Sequence, residues 1–237
     1  MMDRRRFLLA APVFLAACTD RSRPELAAPP PVDPYYARIY SEVNDGRFTV
    51  AAVDLTQIDP RFLRREVDYD TTEQPGTIVV DPGAHYLYLV RPGGRAIRYG
   101  VGVGRAGFRW NGRATVARKA SWPVWTPPAA MVKRDPKARP WAKGMPGGPD
   151  NPLGARALYL FQGNRDTLYR IHGTNDPGSI GLSLSSGCIR LLNQDIIHLH
   201  SQVPVGTRVV VKKYDGPVPT GPVEDEAVPD AVAAAEG

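Results

Sequence analysis

Cysteine is scarce in this chain: two in 237 residues, alongside four histidines. So few cysteines exclude a disulfide scaffold. The histidines (His85, His172, His198 and His200) stand apart from any Cys, Asp or Glu at metal-ligand spacing, so neither a metal nor a cofactor is expected. Long apolar runs are also missing. None reaches the ~18 residues that a membrane-spanning helix needs. There is no zinc-finger, helix-turn-helix or RNP-like pattern, so no nucleic-acid partner is expected. Basic residues stop at Lys213, after which six acidic ones follow. The net charge of +6 therefore conceals a body, residues 1–213, of about +12, suited to an anionic polymer or surface.

What the chain does have in quantity is glycine, 23 residues, and proline, 24, a composition for many turns and short strands. Its first residues read as an export signal. Arg4-Arg5-Arg6 precede an eleven-residue apolar stretch, Phe7 to Ala17, too short to span a bilayer. The stretch ends in Leu15-Ala16-Ala17-Cys18, similar to a bacterial lipobox, which makes Cys18 the expected lipidation site and places the protein in the periplasm, anchored to a membrane. The alternative is an ordinary cleaved signal with a chance cysteine. With Cys18 assigned to the signal, Cys188 is the single thiol of an exported domain, where structural cysteines normally come in pairs. Such a thiol is either buried and inert or kept for its chemistry.

Five segments are expected: a signal with lipobox (1–18), a Pro/Ala tether (19–34), an N-terminal extension (35–74), a catalytic domain (75–213) and an acidic, disordered tail (214–237). Pro34 to Val43 suits a short helix, and Asp59-Pro60 reads as a cap and first helical position opening another through Val67. Runs rich in Val, Ile, Leu and Tyr predict strands at 77–81, 86–90, 96–103, 157–161, 167–171 and 207–212. The fold expected is mainly β with short helices, a β-sandwich or barrel-like domain. Between Ser121 and Gly154 the pattern lapses into Trp- and Pro-rich sequence, read as loops walling a cleft or as a solvated insertion. The basic run Lys133, Arg134, Lys137, Arg139 and Lys143 beside it suits attraction of polymer carboxylates, or is a solvated loop. Asn193 is expected to cap a helix from Gln194 to Val203.

Chemistry concentrates in Ile171-His172-Gly173-Thr174 and, after a loop, Ser185-Ser186-Gly187-Cys188-Ile189-Arg190-Leu191. A thiol attacks an amide carbonyl as thiolate, so it needs a base, usually imidazole. It also needs donors for the oxyanion, which backbone N–H groups in a glycine turn can supply. His172 lies sixteen residues before Cys188, and the Asp176-Pro177-Gly178 turn between them lets the chain double back. A His and a Cys so spaced are weak evidence by themselves.

Taken together, however, His-Gly-Thr and Ser-Ser-Gly-Cys-Ile-Arg-Leu resemble the signature of L,D-transpeptidase catalytic domains of the YkuD type, and Gly148-Pro149-Asp150-Asn151-Pro152-Leu153-Gly154 resembles a cleft-forming run upstream of it in many members. The resemblance covers about Pro75 to Val211. It implies that Cys188 is the nucleophile and His172 its base, oriented by the Gly173 carbonyl. The amides of Gly187 and Cys188 would face the oxyanion at the Ser186–Gly187 turn. Arg190 would organise the site or meet a substrate carboxylate, an internal ion pair being the alternative. Many members carry a second histidine where this chain has Ser186, so proton transfer from that position is not expected. The implied reaction is acyl transfer on peptidoglycan stem peptides, with a diaminopimelate amine, an envelope-protein lysine or water as acceptor, by a monomer. The alternatives are an L,D-carboxypeptidase or hydrolase on the same site, a silent murein-binding lipoprotein, and a structural β domain whose Cys188 is inert.

Overall fold

The computed structural model describes residues 32–104, 110–183 and 188–217, within one unit spanning Val32–Gly237. Cys18, the tether's first residues, the Ser185–Gly187 turn and the acidic tail beyond Pro217 lie outside the described residues. The chain is mainly β with a few short helices. Asp33 caps α1 (Pro34–Ile39) by accepting from the Tyr35 N–H, with Pro34 at the first helical position. A hairpin follows, β1 (Val43–Asp45) and β2 (Phe48–Val50). The remaining strands are β3 (Arg65–Asp68), β4 (Ile78–Asp81), β5 (Tyr86–Arg91), β6 (Arg95–Gly100), β7 (Gly102–Val103), β8 (Gly112–Ser121), β9 (Arg156–Gln162), β10 (Arg165–His172), β11 (Ile189–Arg190) and β12 (Arg208–Val211). Among the described residues two further α-helices follow, α2 (Ala129–Arg134) and α3 (Asn193–Gln202).

Ten strands form one sheet in the order β3-β6-β5-β4-β12-β8-β9-β10-β11-β7. Strand β7 stands at one end, yet only Val101 separates it along the chain from β6, next to the other end. A sheet whose end strand is one residue away along the chain from the strand beside its other end must curl, so it wraps around a core as a barrel does. That core holds Ile78, Leu87, Leu89, Tyr99, Leu158, Leu160, Ile171 and Ile189 from the strands and Ile196 and Leu199 from α3. Burying each large apolar side chain of this kind contributes about 1.5–3 kcal/mol. Lys119 on β8 closes the C-terminal end of α3 by donating to the carbonyls of His200 and Val203, both at 2.7 Å.

Three expectations need correction. Asp59 does cap a turn, but that turn is a single 3-10 turn, Pro60–Phe62, and the chain then extends as β3 along β6. Phe62 is the cause: it packs against Gly100 and Gly181, where an added Cβ would meet it at 2.4 and 2.1 Å, and this anchor draws the backbone out of any helix. Strand β8 has no counterpart among the expected strands, because its core face is made by Ala114 and Val116 and a bulge between Val116 and Arg118 breaks the alternation. Asn193 begins α3 rather than capping it. Leu192 holds the cap position, with no side-chain hydrogen bond.

Candidate active site

His172 ends β10 and is held on both sides. It pairs with Ala157 of β9, and its carbonyl accepts from Leu191 N–H at 2.8 Å. Strands β10 and β11 run parallel, with Ile171 opposite Ile189 and His172 opposite Arg190. Ile171 and Ile189 point into the core. The two-residue period of a strand then sets His172, Arg190 and, two residues before it, Cys188 on the other face. Diagonal neighbours on one face lie about 7–8 Å apart between backbones, a gap that an imidazole and a thiol can close by leaning together. Cys188 is half-buried, and its carbonyl accepts from Gly104 N–H at 3.2 Å, which ties it to the end of β7.

The state of the imidazole follows from its partners. His172 Nδ1 lies 2.5 Å from the Gly173 carbonyl oxygen. A carbonyl only accepts, so Nδ1 carries the proton and the neutral ring keeps its lone pair on Nε2. Burial pushes His172 down to about 4; the Gly173 and Leu153 backbone groups oppose this, and the charges of Arg190 and Arg170 add to it. The ring therefore rests neutral and able to take a proton throughout the physiological range. We expect a histidine NMR titration of the free protein to show no protonation of His172 between pH 5 and 8, with its midpoint near 4 rather than about 6.5. A midpoint above 6 would contradict this account.

Arg190 lies against β7. An added Cβ at Gly102 would come within 2.5 Å of the Ser179 carbonyl and 2.9 Å of Arg190 Nη2, so only glycine leaves room for the guanidinium there. Burial pushes Arg190 down, while Asp176 and Cys188 hold its proton by charge attraction. Its charge thus faces the sulfur, where negative charge would form. Arg170, on the same face, is engaged by Asp166 at 2.7 Å and lies over the Tyr159 ring. No group of three or more His, Cys, Asp or Glu that could hold a metal ion occurs among the described residues.

The Ser121–Gly154 segment is built around two polar anchors. Trp122 Nε1 donates to Asp45, which also pairs with Arg156, and Phe48 packs on the indole, so the β1–β2 hairpin holds the segment's start. Asn151, fully buried, donates to the carbonyls of Pro123, Met145 and Pro146. Between the hairpin and the turn after His172 lies a cavity of about 160 Å³, lined by Ala51, Trp122, Pro149, Thr174 and Asn193 among others. Lys133, Arg134, Lys137, Arg139 and Lys143 are all exposed.

Two parts of this arrangement were not readable as site features in the sequence: the space Gly102 leaves for Arg190 and the side-chain role of Asn193. A glycine in a strand and an asparagine before a helix each have common local explanations, and only tertiary contact overrides them.

A strand-end imidazole with its tautomer fixed by a main-chain carbonyl, on one sheet face with a cysteine and an arginine, has the groups that acyl transfer through a thiol would need. Residues 75–211 match the L,D-transpeptidase catalytic domain family, of the YkuD type, and the chain belongs to it. It is 41% identical over 145 residues to the probable L,D-transpeptidase ErfK/SrfK of Escherichia coli K12, covering 60% of this chain and 44% of that protein. It is 34% identical over 194 residues to the probable L,D-transpeptidase YcfS of the same strain, covering 78% and 52%. The chain thus spans about half the length of these relatives. A crystal structure from Brucella melitensis, described as a probable carnitine operon oxidoreductase, is 48% identical, covers 67% of this chain and 99% of its own, and superposes with a TM-score of 0.46.

Proposed function

We propose that this protein is a peptidoglycan L,D-transpeptidase working through a cysteine thioester. The observation that carries the reading is the neutral, Nδ1-protonated His172 on the same sheet face as Cys188. In the forward step His172 Nε2 takes the Cys188 proton, and Sγ bonds to the carbonyl carbon of the third stem residue. The peptide bond to the terminal D-alanine breaks, and His172 returns the proton to the departing amine. An incoming amine then attacks the thioester, loses its proton to His172, and the thiol is restored as the new amide forms. The backbone amides of Gly187 and Cys188 serve the oxyanion, and Arg190 faces the charge on sulfur.

Three acceptors fit this chemistry: a diaminopimelate amine of a neighbouring stem, giving a 3→3 cross-link; an envelope-protein lysine, giving protein attachment; and water, giving carboxypeptidase action. The exposed lysines and arginines from 133 to 143 favour approach of an anionic wall polymer. Export to the periplasm and lipidation at Cys18 complete the reading, supported by the signal-like first eighteen residues. No helix among the described residues is long and apolar enough to cross a membrane.

The test is product analysis by mass spectrometry after incubating the purified protein with tetrapeptide muropeptides. Free D-alanine together with cross-linked dimers is the expected result. D-Alanine with monomeric tripeptide alone would shift the assignment to a carboxypeptidase, and no release with no enzyme adduct would end the proposal.

A further inference from the structure

The peptide that orients His172 is buried, yet it is a weak point in the site. Its oxygen belongs to Gly173, and glycine lets a peptide plane turn over at little steric cost. Were it to turn, Nδ1 would lose its acceptor and the ring would be free to move its proton to Nε2, where it cannot receive one from a thiol.

Asn193 stands where it can prevent this. Its side chain, which could have capped α3, instead bridges two loops. Oδ1 accepts from the Ala155 N–H at 2.9 Å, and Nδ2 donates to the Thr174 carbonyl at 2.9 Å. The same Oδ1 sits 2.2 Å from where a Cβ would stand on Gly154 and equally on Gly173. A Cβ on Gly154 would also reach the Thr174 nitrogen at 2.6 Å and the Gly173 carbonyl carbon at 2.7 Å. The Gly173–Thr174 peptide is therefore packed directly against Gly154, with Asn193 wedged between the two glycines and tied to the segments that contain them.

We propose that Asn193 is a positioning residue for the general base: it latches the Gly173–Thr174 peptide so that His172 keeps its Nδ1-protonated tautomer. The consequence for turnover rests on the acyl-transfer reading above; the consequence for the tautomer does not.

Two readouts test it on the full chain. In ¹⁵N-histidine-labelled wild-type protein, His172 is expected wholly as the Nδ1–H form. In Asn193→Ala the Nε2–H form should become populated, and kcat for D-alanine release should fall about tenfold to a hundredfold with KM little changed. His198, whose Nδ1 bonds the Tyr99 hydroxyl at 2.8 Å, is an internal control for an intact fold. Should the alanine variant misfold, Asn193→Asp carries the test: it keeps the acceptor arm to Ala155 and loses the donor arm to Thr174, so it should show the same tautomer change. An unchanged His172 tautomer in a folded Asn193 variant would overturn the proposal. If wild-type protein turns over no substrate, the functional reading fails and the tautomer measurement still decides this one.

Discussion

Replacing Cys188 by alanine is expected to lower D-alanine release at least about a thousandfold and to abolish the covalent adduct seen by intact-protein mass spectrometry. The reason is specific to this site. Among the described residues, the side chains whose charges act on His172 are Arg190 and Arg170, both cations and neither a nucleophile. The substitution removes one sulfur from a half-buried position, so the melting temperature should barely move and muropeptide binding should persist. Serine should not rescue the activity. A hydroxyl needs a stronger base than a ring held near 4, whereas a thiol gives up its proton far more readily. Substantial turnover in Cys188→Ala would sink the thioester mechanism.

The second large effect is on stability, and it originates far from the thiol. Asp195 on α3 is fully buried, with Arg64 at 3.3 Å and the Tyr40 hydroxyl donating to it at 3.0 Å. That hydroxyl in turn accepts from the Arg64 N–H at 2.6 Å, and Gln194 reaches the carbonyls of Ser41 and Ala51. Burial pushes the Asp195 carboxyl up to about 7, against the pull of Arg64 and Tyr40. In Arg64→Met the carboxylate would remain buried without its cation, a loss of about 3–5 kcal/mol at pH 8. At pH 5 the folded protein can protonate the carboxyl, so the loss should shrink.

The sign in the wild type follows from the same shift. The folded carboxyl keeps its proton up to about 7 while the unfolded one releases it near 3.9, so this contribution is complete below pH 3.9 and lost as pH rises through 7. His172, His198 and His200, each held down to about 4 chiefly by burial, act oppositely. They favour the fold above pH 6.5 and lose that contribution as pH falls toward 4. Asp195→Asn should therefore unmask a steeper loss of stability on the acid side. Urea midpoints of wild type and both variants at pH 5 and 8 decide it; a pH-independent loss in Arg64→Met would refute the account.

The Tyr40–Asp195 bond and the Asp45–Arg156 pair show why the sequence was legible in some places and not in others. His172, Gly173, Cys188 and Arg190 stood out because their chemistry is carried by residue type and order within twenty positions. Tyr40 and Asp195 are 155 residues apart, and neither type announces a buried partner. The strands from 78 to 91 were readable because apolar residues crowd them. Strand β8 was not, since Arg113 and Arg118 stand on its outer face while Ala114 and Lys119, which reaches α3, take positions on its inner one. Asn193 illustrates a third case. Local propensity made it a cap, and the backbone of Ala155 and Thr174, distant in sequence, claimed its side chain instead.

The closure of the sheet bears on when this site comes into being. Strands β7 and β11, two residues each, join through only two residue pairs, and one of the two strands leads directly out of Cys188. Those pairs unite positions 102–103 with 189–190, so forming them requires closing a long loop for little local reward. The body of the sheet, with its longer hairpins β4–β5–β6 and β8–β9–β10, can assemble first and leave this seam for last. What the seam adds to the site comes last: Gly102, which leaves room for Arg190, and the Gly104 N–H that donates to the Cys188 carbonyl. The space around Arg190 is thus finished by the contacts that form last, and weakening them would loosen the site before it unfolded the sheet.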